Sequence, residues 1–306
     1  LPKRMLPLAY FFAMAGMIGC LPAFQSNQLI QITGDLAFSN MENFNIYGGL
    51  ILAIITGVVV IGGLKRIAEV ASYLVPIMGS IYFGAMLIAL LFNLDLILPA
   101  FRLIFVDAFS GSAIAGGTFF GVLIYGVRRG AFSNEAGMGT ESLVHGVAKV
   151  SNPVKQGLVA MTGPIFDTLI ICTATALMIL ISGVWETSSS QGVTLTGEAF
   201  SMLLGNFGGF ILFTCVICFG LSTIFTYSYY GASCSRFLFG KFGMKFYIYL
   251  YIFSIFIYSI VPIDIAINIA DGAFAMMAIP TLVSALWLAP KVMQASENYF
   301  KLVNSK

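Results

Sequence analysis

Eight charge-poor apolar runs recur along this 306-residue sequence, and their length limits the possible folds more than any other feature. They cover about 6–32, 46–64, 71–94, 113–128, 156–183, 203–230, 245–262 and 272–290. A helix rising ~1.5 Å per residue needs roughly 20 apolar residues to cross a hydrocarbon core of about 30 Å. In lipid only helices and closed barrels satisfy every backbone polar group, and barrel strands alternate polar with apolar over about ten residues. These runs are continuously apolar. The expectation is an all-α membrane protein with about eight transmembrane spans in a single transmembrane domain over 1–306. A water-soluble domain is excluded, because 59% of the residues are hydrophobic and only 9% charged, against about 25% charged in soluble proteins.

Charge placement orients the chain. If the first run crosses outward from the cytoplasm, fourteen of the fifteen Lys and Arg residues fall inside and only Arg102 falls outside. Basic loops stay cytoplasmic, so a multi-pass protein of the cell membrane with both termini inside is expected. The cations are dispersed and the net charge is +2, which offers no surface to nucleic acid. Cys20, Cys172, Cys215, Cys218 and Cys234 lie in or beside apolar runs, as reduced thiols used as small hydrophobes do. The first residue is Leu1 rather than Met, and a fragment is expected.

The segment Gly111 to Val150 departs from the pattern. Its apolar run Gly116 to Val127 is about half a bilayer long, Arg128 to Gly139 is polar and glycine-rich, and a helical pattern resumes from Thr140. A short apolar half, a glycine-rich interruption and a second short helix describe a discontinuous transporter helix. A cytoplasmic loop capped by Ser133 is the plainer reading. Within the interruption, Phe132, Ser133, Asn134, Glu135 and Gly137 form the densest polar and glycine cluster in or near the membrane. Backbone groups released by such a break can hold a carboxylate and a small cation. Glu135 is expected to neutralise Arg129, since a charge at membrane depth needs a partner.

Gln25, Ser26, Asn27 and Gln28 interrupt the first run just after Pro22, either joining helices or facing a water-filled cavity. Ser222 and Thr226 share a helix face, with Thr223 and Tyr227 beside them; hydroxyls suit an alkali cation but also bond their own backbone. Asp167 lies inside an apolar run and Asp271 opens the last one; an intramembrane carboxylate marks a function or a satisfied helix contact. His145, the single histidine, suits a packing role better than a proton relay. No nucleophile–base constellation, phosphate loop or zinc spacing is present, so an enzyme is not expected and neither is an organic cofactor.

Arg129-Gly130-Ala131-Phe132-Ser133-Asn134-Glu135-Ala136-Gly137-Met138-Gly139 resembles the R-G-x-F-S-N-E-A-G-x-G signature of the sodium:alanine (alanine or glycine:cation) symporter family. Asn152 to Gly157, Asp167-Thr168 with Cys172 to Leu177, and Phe24-Gln25 with Asn27 agree with it. The resemblance covers nearly the whole chain. It implies a five-plus-five inverted-repeat transporter fold in which these eight runs are the third to tenth helices, the first two being absent. It implies sodium-coupled secondary active uptake of a small neutral amino acid, alanine or glycine, by alternating access. The partners it implies are that amino acid, sodium as coupling ion and the lipid bilayer.

Carried over residue by residue, Gln25, Asn27, Phe132, Ser133, Asn134, Gly137, Thr226 and Tyr227 would surround the substrate. Ser222 and Thr223 would bind sodium, and Arg129, Glu135 and Asp167 would balance charge. The chain departs from the family at Thr140-Glu141-Ser142, where Ser-Ala-Pro is usual, and at Tyr227, where Trp is common; His145 fits. Without the first helices the chain is expected to be transport-inactive. The alternatives are a proton-coupled permease carrying its proton on Asp167, Glu135 or His145, and a non-transporting membrane sensor on the same bundle.

Overall fold

The computed structural model describes residues 2–38, 41–109 and 118–304, apart from the side chains of Leu36, Thr118 and Phe119. Gly116-Gly117 and the start of the run at 113–128 lie outside the described residues. Among the described residues the regular structure is entirely helical, and five helical stretches are long and apolar enough to cross a membrane: Lys3–Asp35, Gly63–Phe92, Pro153–Ser182, Asn206–Tyr258 and Ile263–Asn304.

The first of these is two helices, α1 (Leu6–Gly19) and α2 (Ala23–Ala37). Pro22 offers no N–H and its ring opposes a continuing helix, so the chain turns at Cys20–Pro22. Ser26 repairs the start of α2 by donating its N–H (3.0 Å) and its Oγ (2.5 Å) to the Pro22 carbonyl. The polar group Gln25 to Gln28 therefore lies in the first turns of α2 and is not itself the interruption. Next come α3 (Phe44–Val60), α4 (Gly63–Phe92) and α5 (Leu94–Ala108). Exposed Leu98, Phe105 and Val106 on α5 suit a helix lying in the membrane interface.

α6 (Thr118–Asn134) and α7 (Thr140–His145) flank a break, and α8 (Pro153–Pro164) leads through a π-helical turn, Ile165–Cys172, into α9 (Thr173–Ser182). α10 (Val184–Thr187) and α11 (Val193–Leu204) connect to α12 (Asn206–Tyr258). α12 has 53 residues, ~80 Å if straight, far more than one crossing needs. It folds back at Gly240, whose φ of 68° and ψ of −156° lie outside helix geometry. The Tyr251 hydroxyl donates to the Ile224 carbonyl at 2.6 Å, and the Tyr247 hydroxyl lies where a Cβ on Gly231 would be. The runs 203–230 and 245–262 are thus antiparallel arms of one hairpin. α13 (Ile263–Asn304) closes the chain.

The main core is centred on that hairpin. Tyr247, Tyr251 and Ile255 are buried with Leu29 and Ile30 of α2, Leu52 of α3, Met138 of the break, and Phe274 and Met277 of α13. A second core gathers Tyr82 and Met86 of α4, Met178 of α9, Phe200 of α11 and Leu212 of α12. Large apolar side chains also face outward, with Phe92 82%, Phe242 81% and Leu286 77% exposed, as a lipid-facing surface requires.

Candidate functional site

The break between α6 and α7 is narrower than the sequence pattern indicates. α6 continues through Arg128 and Arg129 to Asn134, and the non-helical stretch is Glu135 to Gly139. The helix tolerates the two arginines because Asp271 of α13 meets them: Arg129 donates to its Oδ2, and the Arg128 guanidinium stands 3.8 Å away. Arg129 is therefore paired with Asp271 and not with Glu135, as sequence proximity suggested. A partner 142 residues away in sequence leaves no local pattern. Arg129 also lies over the rings of Tyr125 (5.4 Å) and Phe132 (5.5 Å), where a cation is attracted to the π faces.

Backbone geometry makes the break. Glu135, Gly137 and Gly139 take φ of 55°, 83° and 88°, the left-handed region in which a helix cannot continue. Gly139 is doubly required, since a Cβ there would come within 2.6 Å of both Phe12 Cε2 and Thr281 Oγ1. Asn134 Oδ1 accepts from the Ala136 N–H at 2.9 Å, a local turn that competes with the helix. The Ser142 hydroxyl donates to the Gly139 carbonyl at 2.7 Å as α7 begins.

Side chains anchor each flank. The Ser133 hydroxyl donates to Asp167 Oδ2 at 2.5 Å, and the Asn134 amide donates to Thr168 Oγ1 at 3.0 Å, which itself donates to Asp167 at 3.2 Å. Asp167 and Thr168 belong to the π-helical turn, an element that recurs at functional sites; nothing in the residue types forecast it. Glu135 accepts from the Tyr227 hydroxyl of α12 at 2.5 Å. Phe132 sits edge-on between Phe24 of α2 and Phe274 of α13, at 5.6 and 5.3 Å between centroids.

These elements enclose a cavity of about 740 Å³. Gln25 and Gln28 from α2, Arg129, Phe132, Ser133 and Glu135 from α6 and the break, and Thr223 and Tyr227 from α12 line it, with Gln191 and Gly192 beside α11. Two other large cavities are walled mainly by aliphatic and aromatic residues, whereas this one brings charged, amide and hydroxyl groups together. Of the residues expected at the site, Gln25, Phe132, Ser133, Tyr227 and Thr223 face it, with Arg129 and Glu135. Asn27, Asn134, Gly137, Ser222, Thr226 and Asp167 do not line it. Asn27 instead donates to the carbonyls of Val261 (2.7 Å) and Tyr258 (3.3 Å), tying α2 to the turn before α13. Ser222 and Thr226 donate to the carbonyls of Phe219 and Ser222, both at 2.9 Å. His145 bonds Gln156 at 2.6 Å, a packing contact between α7 and α8.

The chain is 35% identical over 308 aligned residues to the uncharacterized transporter YflA of Bacillus subtilis strain 168, covering 97% of this chain and 64% of that protein. It is 34% identical to the sodium/alanine symporter AgcS of Methanococcus maripaludis, covering 92% of this chain and 63% of the relative. Against the probable sodium/glutamine symporter GlnT of Bacillus subtilis strain 168 the identity is 32%, over 89% and 58%. The chain thus spans a little under two thirds of the length of these relatives. The family model for sodium:alanine symporters, which are transporters and not enzymes, matches residues 1–306, and the chain belongs to the sodium:alanine symporter family.

Proposed function

We propose that the chain works in sodium-coupled secondary active uptake of a small neutral amino acid, alanine or glycine, by alternating access in a five-plus-five inverted-repeat fold. The observation that carries this is Glu135, the first residue of the break, set into the wall of a polar cavity between α2, α12 and α13. Peptide groups freed from a helix can bind both ends of a zwitterion without placing a full charge in lipid. Glu135 lines the cavity and stands where the substrate ammonium would sit, and Phe24, Phe132 and Tyr227 bound the side-chain space.

Thr223 lines the cavity and is the α12 oxygen in position for sodium; Ser222 joins it by releasing the Phe219 carbonyl. Sodium and substrate held side by side stabilise each other reciprocally. At 100 mV each entering positive charge is driven by about 2.3 kcal/mol. The Arg129–Asp271 pair fastens the broken helix to α13 beside the cavity, so relative movement of these helices opens or closes that side.

The test is uptake of labelled alanine, glycine and glutamine by the full-length protein in proteoliposomes. Accumulation of alanine or glycine only under an inward sodium gradient is expected, and uptake that persists when choline replaces sodium refutes the coupling. Proton coupling is a second reading, favoured by Glu135, a carboxylate in the break whose partner is a tyrosine hydroxyl. Uptake that follows a pH gradient with sodium absent selects it.

A further inference from the structure

A groove of about 840 Å³ runs down the outside of the bundle between α3 and the second arm of α12, away from the polar cavity. Its floor is Ala53, Gly57 and Ile252, and its rims are exposed Ile54, Val58, Tyr249 and Phe253. The two helices are antiparallel: a Cβ on Gly57 would lie 3.5 Å from Ile252 Cδ1, and one on Gly49 would lie 2.6 Å from Ser259 Cβ. Continuing that register brings the end of α3 to the start of the second arm, where Ile248 packs with Val60 and Ile67.

The two ends of the groove differ in charge. At one end Arg66 lines the wall, its Cδ lying over Gly62, 2.4 Å from where a Cβ would be. Lys65 adjoins it, and the register above brings Lys241 and Lys245 to the same end. All four cations are exposed, and the ion pairs among the described residues involve other arginines. The opposite end opens toward Asp35 and Asn45, which share a small cavity with Ser259. From Leu50 to Ile61 the groove is about 16 Å long at ~1.5 Å per residue, the depth of one leaflet of a hydrocarbon core of about 30 Å.

We propose that this groove is a binding site for one anionic phospholipid. Its acyl chains lie along Ala53 and Gly57, and its phosphate sits on Arg66, with Lys245 and the Tyr249 hydroxyl in support. A guanidinium matches phosphate geometry with two parallel N–H groups, its methylenes lie on apolar surface while the head stays at the interface, and basic pockets between membrane helices take acidic headgroups. The carboxylate at the far end repels the same headgroup, so the lipid enters in one orientation, in the leaflet on the Arg66 side.

The experiment is native mass spectrometry of the protein ejected from nanodiscs of phosphatidylcholine and phosphatidylglycerol at three to one. The ratio of retained phosphatidylglycerol to phosphatidylcholine is expected to exceed the bulk ratio about five-fold, the factor that one juxtamembrane cation contributes. Arg66→Gln, an exposed position whose loss leaves the fold intact, should return the ratio to bulk. Gly57→Leu, which fills the floor, should lower retention of both lipids. Undiminished enrichment in Arg66→Gln overturns the site. So does retention of neither lipid, or a lipid-free dimer, because protein then covers this face.

Discussion

Replacing Arg129 by Gln tests how the broken helix is held. Arg129 and Asp271 are 28% and 13% exposed in their side chains, so removing the guanidinium leaves a largely desolvated carboxylate. Breaking a buried pair from one side costs about 3–5 kcal/mol. Arg128, 3.8 Å from the same oxygen and 56% exposed, can swing in and recover part of that, and the remaining exposure of Arg129 screens the pair further. Two cation–π contacts of about 0.5–1 kcal/mol each are also lost. A net loss of about 2–3 kcal/mol follows. The double variant Arg129→Gln/Asp271→Asn, with no stranded charge, should be less damaged than Arg129→Gln alone. The assay is a double-mutant cycle on thermal stability in detergent, followed by size-exclusion recovery, with labelled-alanine binding measured in parallel. Strictly additive single effects, or Arg129→Gln within 0.5 kcal/mol of the parent, would show that the pair does not hold α6 to α13.

Gly139→Ala should cost about 2–4 kcal/mol, from a left-handed φ of 88° together with overpacking against Phe12 and Thr281; a lowered detergent melting temperature checks it. Tyr227→Phe removes the donor to Glu135 and leaves that carboxylate short of a partner, worth about 1–3 kcal/mol, and a changed pH dependence of uptake with normal membrane yield is expected. In the connection that leads from α9 into α11, the Ser188 and Ser190 hydroxyls hold the Glu198 carboxyl below its ordinary value. The folded value is depressed, so this anchoring is complete above about pH 4.3 and lost as pH falls through the folded value. Protease cleavage at 188–192 should rise on acidification in the parent, whereas Glu198→Gln should be cleaved equally at both pH values.

Membrane insertion was legible because it depends on the length of apolar runs, and run length is a local property. The break was legible for a similar reason: Glu135 to Gly139 sits where apolar residues give way to glycine, and its left-handed residues are two glycines and one carboxylate. Its extent was not. Arg128 and Arg129 looked like the beginning of a loop, because nothing near them in sequence shows that Asp271 neutralises them inside a helix. The run 6–32 looked like one span interrupted by amides, whereas the chain bends at Pro22 between α1 and α2, and the amides after it divided in a way no pattern foretold. Gln25 turns to the cavity, while Asn27 is spent on the carbonyls of Tyr258 and Val261.

Hydropathy period, glycine placement and charge spacing act over a few residues and follow from side-chain chemistry alone, so the helical character, the membrane environment and the position of the broken helix could all be read along the chain, while the family came from the resemblance of Arg129 to Gly139 to a known signature. Which hydroxyl faces a cavity and which bonds its own backbone depends on where α2, α12 and α13 meet. The π-helical turn that offers Asp167 to Ser133, the hairpin at Gly240, and the exchange of partners that gives Arg129 to Asp271 and Glu135 to Tyr227 depend on the same packing. Those contacts join residues tens to hundreds of positions apart, and only the packed bundle selects among them.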